Sequence, residues 1–146
     1  MILRALVKTP VGLVNILTTH FSLSTSARRR NTLEVWDYVL QLTEPVILLG
    51  DFNCEPDSET FKFFTGQIEI EGKRGDFKDA WRELNPNVDD KEGWTYNTLA
   101  DSPRKRIDFL FYRGLTAKHV EIFPYNPNAT TQASDHRPIF VDFSIP

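Results

Sequence analysis

Val46-Ile47-Leu48-Leu49-Gly50-Asp51-Phe52-Asn53 is the stretch on which the reading of this chain turns. Four apolar residues between Pro45 and Gly50 predict a buried strand. The strand delivers Asp51 and Asn53, which on extended backbone share a face. A carboxylate only accepts hydrogen bonds, whereas an amide both donates and accepts. Side by side at the end of a core strand, the two can address one substrate atom. The plainer alternative is local, because Asp and Asn also stabilise turns through their own backbone.

Upstream, Ile2 to Lys8 and Leu13 to Thr19 read as two strands of a hairpin around Thr9-Pro10-Val11-Gly12. His20 closes the second strand. A helix is predicted over 28–42, with Leu33, Trp36, Val39 and Leu40 as its apolar stripe. Helix followed by strand 46–50 points to an α/β class. Downstream, Asp57 or Ser58 can cap a short helix burying Phe61, Phe63 and Phe64. A second short helix is predicted over 76–84, and a short strand over 94–97. Arg106 to Tyr112 alternates as a strand, His119 to Phe123 is another, and Ile139 to Ile145 is the last. The expected sheet is mixed, centred on 46–50, with 13–19, 106–112 and 139–145 among its neighbours and helices on one face. The 146 residues are read as a single unit.

Composition narrows the chemistry. Seventeen basic and twenty acidic residues leave a formal net charge of −3, which gives no support to indiscriminate nucleic-acid binding. Positive charge is local, at Arg28-Arg29-Arg30 and Arg104-Lys105-Arg106. Arg28 to Arg30 are most simply a solvated face. The single cysteine, Cys54, excludes an internal disulfide and a thiolate zinc site, and reads as a packing residue. No apolar run approaches the ~18 residues of a membrane span.

Asp108 stands in an otherwise apolar stretch, where a charge is costly unless paired or working. His136 follows Asp135 directly, and a carboxylate beside an imidazole can hold a metal and contact a phosphate. Alone, His136 would read as a satisfied turn histidine, and His20 has the same ambiguity. Asp, Asn and His without thiolates suit Mg²⁺ or Mn²⁺. Such a set equips a protein to hydrolyse phosphate esters. A Ser-His-Asp hydrolase is the competing reading, but no Gly-x-Ser-x-Gly elbow is present.

Thr19-His20-Phe21-Ser22, Gly50-Asp51-Phe52-Asn53, Arg106-Ile107-Asp108-Phe109 and Ser134-Asp135-His136 occur in an order and spacing that resemble the endonuclease/exonuclease/phosphatase superfamily of DNase I-like, metal-dependent phosphoesterases. The resemblance implies a DNase I-like α/β sandwich. It implies that Asp51 orients or activates the attacking water and that Asn53 holds this water and a phosphate oxygen. His136 would contact the phosphate, Asp108 would orient His136, and His20 would help to bind or protonate the ester. Asp135 and Asp51 would serve the metal, Mg²⁺ or Mn²⁺. Thr95 and Arg106 would lie on the substrate side with Asn53. Nucleic acid, nucleotide, phospholipid and sugar phosphate all remain open as substrates.

The resemblance covers only the C-terminal half of that pattern. The earlier strands, with the Glu that is the main metal ligand, have no counterpart here. Two expectations follow. The chain is either the catalytic half of a phosphoesterase or a non-catalytic half-domain acting as a scaffold or regulator. One face or edge of its sheet should also be left apolar and open to self-association.

Overall fold

The computed structural model describes residues 1–10, 12–96, 104–124 and 133–144. Strands β1 (Ile2–Thr9) and β2 (Gly12–His20) form the antiparallel hairpin, in register from Ile2 opposite Thr19 to Thr9 opposite Gly12. Helix α1 (Thr25–Val39) then carries the chain to β3 (Val46–Asp51), which lies parallel to β2. Parallel neighbours need such a crossover, and α1 supplies it. Beyond β3 come α2 (Glu59–Phe64), the two-residue strand β4 (Lys78–Asp79), α3 (Ala80–Leu84), β5 (Asp108–Arg113), β6 (Thr116–Ile122) and β7 (Ile139–Ser144). The main sheet has the order β1-β2-β3-β5-β4, with β3 and β5 antiparallel.

Alternation along the strands separates two faces. Leu17, Val46, Leu48, Phe109 and Phe111 point to the side covered by α1 and α2, where all are buried. Thr32, Val35, Trp36 and Val39 are the buried positions of α1. Rings fill the gap: Phe52 meets Phe111 edge-on with centroids 5.2 Å apart, and Trp36 meets Phe63 at 5.9 Å. Such pairs add about 0.5–1.5 kcal/mol each beyond the area they bury. Ser58 caps α2 by accepting from the Phe61 N–H at 3.2 Å. The opposite face is thinner. Tyr112, Ala80 and Ala117 are buried there with Ile47, Val141 and Phe143 around them. Toward β1 that face opens into a groove of ≈ 460 Å³ lined by Val7, Val14, Ile16, Ile47, Leu115 and Phe143.

Several expectations change. Residues 139–144 pair with β6 in a second, two-stranded sheet and are not neighbours of β3. Alternation reveals which face is apolar, not which sheet a strand joins. The helix expected over 76–84 keeps only its last five residues. Lys78 and Asp79 pair with Tyr112 and Phe111, and the Asp79 carboxylate caps α3 by accepting from the Arg82 N–H at 3.1 Å. Helix α1 starts at Thr25, so Arg28 to Arg30 lie inside it, and Leu40 is its exposed C-cap. The strand expected at 94–97 reduces to bridges from Tyr96 to Lys105 and His136. Asn97 and Ile145, the last residues of the strands expected at 94–97 and 139–145, lie outside the described residues.

Candidate active site at the strand ends

Register brings the first three groups together. His20 on β2 stands opposite Asp51 on β3, and Asp51 stands opposite Asp108 on β5. All three share the thinner face, at the end of their strands. Gly50 lets β2 and β3 meet there. Its φ is +140°, and a Cβ at that position would fall 1.9 Å from the Thr19 carbonyl oxygen. A side chain in that backbone region is strained even without the clash.

Phe52 leaves the strand, and Asn53 has a left-handed φ of 50°. Asn tolerates this better than most residues. The Asn53 N–H donates to Asp51 Oδ1 at 2.8 Å, closing a local turn. Its side-chain amide donates to the Phe21 carbonyl at 2.9 Å. The strand alternation expected from the sequence therefore does not relate Asp51 and Asn53. The strand ends at Asp51, and the turn brings Asn53 back.

His136 arrives from the opposite direction. Its N–H donates to Ser134 Oγ at 3.0 Å, and its ring lies 4.9 Å from that of Tyr96. Nδ1 lies 2.8 Å from Asp108 Oδ2. Against an ionised carboxylate Nδ1 is the donor, which leaves Nε2 facing away from Asp108, an acceptor in a neutral ring and a donor in an imidazolium. Ligand atoms of Asp51, Asp108 and His136 all fall within 4.8 Å of one another. His20 Nε2 is 3.4 Å from Asp51 Oδ2, on a side chain that is largely exposed. Asp135 stands outside this trio, half exposed, with Oδ1 4.0 Å from His136 Nε2.

Burial raises the Asp51 pKa above its ordinary value, and the negative charge of Asp108 adds to this. The Asn53 N–H and the two imidazoles pull the other way. A carboxylate whose proton affinity is raised is a better base. Burial also pushes the Cys54 thiol up, which keeps it from acting as a thiolate nucleophile.

Thr95 and Arg106, expected on the substrate side, are both buried. Thr95 is fully buried, and its hydroxyl donates to Asp108 Oδ2 at 2.6 Å. Arg106 is buried, with its guanidinium on Asp79 and, at 2.9 Å, on Asp90. Its guanidinium carbon lies 4.9 Å over the Phe109 ring. A buried Arg needs such partners, and these two carboxylates occupy it.

Arg137 was missed by the sequence reading. It donates to the carbonyls of Trp94, Ile122 and Phe123 at 2.9, 3.1 and 2.8 Å, and stacks on Trp94 at 4.4 Å. These bonds pin the segment next to His136. An Arg beside a candidate His was the only signal available. That three carbonyls converge on it is a tertiary fact.

The assembled arrangement is two carboxylates and two imidazoles at one end of a sheet, one imidazole braced by a carboxylate. It can orient water, exchange protons and hold a hard cation. Comparison with known proteins bears on the fold and the family. A UPF0294 protein of Klebsiella pneumoniae is 28% identical over 138 residues, covering 90% of this chain and 41% of that protein. An endonuclease/exonuclease/phosphatase structure from Bacteroides vulgatus superposes with a TM-score of 0.71 at 26% identity, over 92% of this chain and 50% of the other. A humanized TDP2 from D. rerio gives 0.75 at 19% identity, over 98% and 60%. The chain thus spans about half the length of the relatives it matches. The family model described as Endonuclease/Exonuclease/phosphatase matches residues 2–136, a span holding all four motifs from Thr19 to His136. With that span, and with the mixed α/β architecture its solved relatives share, the chain belongs to the endonuclease/exonuclease/phosphatase family.

Proposed function

We propose that this chain carries the catalytic half of a divalent-cation-dependent hydrolase of phosphate esters. The observation that carries the reading is the convergence of Asp51, Asp108 and His136 within 4.8 Å, with Nδ1 of His136 on Asp108. The donor set fits a hard cation, since carboxylate oxygens with one imidazole suit Mg²⁺ or Mn²⁺. Asp51, from that trio, and Asp135, half exposed beside His136, are the residues that would hold it. When bound, the cation supplies positive charge to the phosphoryl oxygens.

The chain's own residues do the rest. Asp51, anchored by the Asn53 N–H on Oδ1, orients water and takes its proton. His136, when its ring carries both protons, donates its Nε2–H to a phosphate oxygen, while Asp108 holds the ring by Nδ1. Asn53, fixed by Phe21, keeps one amide N–H free for an oxygen of water or ester. His20, beside Asp51, reaches the same space from the exposed edge and is placed to exchange a proton with the ester.

The test is hydrolysis of bis(p-nitrophenyl) phosphate by this chain with Mg²⁺ or Mn²⁺, with and without EDTA. Turnover that EDTA abolishes is expected. Turnover unaffected by EDTA, or no turnover with either cation, would overturn the reading for this chain. A panel of oligonucleotide, nucleotide, phospholipid and sugar phosphate then assigns the substrate class.

A further inference from the structure

Thr95 lies where three segments of the chain meet. Its N–H donates to the Lys105 carbonyl at 2.8 Å, and its carbonyl accepts from the Arg137 N–H at 2.7 Å. Its hydroxyl oxygen accepts from the N–H groups of Ile107 and Asp108 at 3.3 and 3.2 Å. With its oxygen engaged by those two donors, the hydroxyl proton goes to Asp108 Oδ2, at 2.6 Å. That oxygen is the one His136 Nδ1 contacts at 2.8 Å.

Thr95 therefore holds both ends of the Asp108–His136 pair. Through its hydroxyl it aims the Asp108 carboxylate. Through its carbonyl it fixes the residue next to His136. Asp108 is the first residue of β5, and the backbone before it is held as well, since the Ile107 carbonyl accepts from the Phe52 N–H at 2.9 Å; what remains free to turn is the side chain. A carboxylate there can rotate about its side-chain torsions unless something stops it, and the Thr95 hydroxyl is the donor in place. A buried threonine kept only for packing would need its methyl group's volume and nothing of its hydroxyl.

We infer that Thr95 is a positioning residue, whose hydroxyl sets the Asp108 carboxylate so that it presents one oxygen to His136 Nδ1. The inference rests on the proposed reading of the site for its catalytic consequence, but not for its geometry.

The test compares Thr95→Val, which keeps the shape and loses the hydroxyl, with Thr95→Ser, which keeps the hydroxyl and loses a methyl. Two readouts are taken. A long-range ¹H–¹⁵N spectrum at one fixed pH reports which His136 nitrogen carries the proton, assigned by its loss in His136→Ala. Crystal structures give the Nδ1–Oδ2 separation. The serine variant should keep the proton on Nδ1 and the short contact, and the valine variant should lose both. If the chain hydrolyses the nitrophenyl diester, Thr95→Val should lower kcat by roughly 10- to 10²-fold with little change in KM, and Thr95→Ser should restore most of it. An unaltered pair in Thr95→Val would overturn the inference, as would equal damage in both variants. If the valine variant does not fold, Thr95→Ser decides alone, since loss of the pair with the hydroxyl retained contradicts the assignment. If the wild-type chain hydrolyses nothing, the functional reading falls while the spectra and structures still decide the role of Thr95.

Discussion

The two faces of the central sheet are built from the same strands, one residue out of phase, and they do opposite things. Leu48 and Phe111 face the helices and have no exposure at all, while Leu49 and Leu110, one step away, are only half-buried. On the helix side, aromatic rings interlock, and the guanidinium of Arg106 that lies over Phe109 is neutralised by Asp79 and Asp90. On the other side the strands end in His20, Asp51 and Asp108, two carboxylates and an imidazole brought together at a cost in solvation. The difference shows how a fold divides labour by alternation: one face supplies stability, and the other spends part of it on a site.

The largest expected effect tests the stable face. Phe111→Ala removes a ring with no exposure that packs on Phe52, Phe61, Phe64 and Phe77. It should cost about 3–5 kcal/mol, a large fraction of the stability of a domain this size. Urea unfolding followed by circular dichroism would measure it, and a loss below ~1 kcal/mol would remove the contrast between the faces.

Next comes the working face. His136→Ala should lower kcat by about 10²–10³-fold, the scale of a lost oxyanion partner. The same substitution should leave the urea midpoint nearly unchanged, because the ring is only half-buried. Asp108→Asn in the His136→Ala background should add little, since the two act as a unit. Fully multiplicative losses would sink the pairing.

Asp51→Asn should act in opposite directions on activity and stability. It should reduce kcat by at least ~10²-fold, the scale of general-base assistance. Its effect on stability follows from linkage. Burial, then Asp108, raises the folded-state pKa of Asp51 above the ordinary 3.8. The folded chain thus binds this proton more tightly than the unfolded chain does. The resulting stabilisation is complete below pH 3.8 and is lost as pH rises through the raised folded value. At pH 7 the charge is a burden, so in EDTA the asparagine variant should melt higher than wild type. The gain should shrink as pH is lowered toward 4, and a variant that melts lower at pH 7 would contradict the assignment.

The smallest effect on folding concerns the open groove. Leu3 and Val7 on β1 are 69% and 37% exposed, on the face that carries the site. Leu3→Lys with Val7→Lys should change the urea midpoint by less than about 0.5 kcal/mol equivalent, as surface changes do. It should also reduce any self-association seen by light scattering. A wild-type chain that stays monomeric at high concentration would show that the groove draws no second copy.

Much of this was legible in the residues. The apolar run before Gly50 marked the central strand, and the spacing of the four motifs carried the family. Asp108 announced itself because a charge beside Phe109 and Phe111 needs a reason. Other features had no local signature. Lys78 and Asp79 follow Phe77 at helical spacing, yet the edge of β5 was available for pairing, and a capping carboxylate cannot also be inside its helix. Asp79 and Asp90 neutralise Arg106 from positions 27 and 16 residues away, and no periodicity encodes that. Thr95 and Arg137 work through hydrogen bonds across segments. Sequence spacing says which residue types are present, but not which carbonyl a guanidinium will find.

Gly50 has a consequence for any survey of tolerated variation. The Thr19 carbonyl stands where its side chain would begin, so every substitution there pushes β2 away from β3. Cellular abundance and enzymatic output should therefore collapse together at position 50. At its neighbour Asp51 the two scores should part, with abundance holding or improving while output vanishes. Adjacent columns of a mutational map, with output read on the nitrophenyl diester, would then distinguish a residue that spaces the site from one that serves it before any natural substrate is identified.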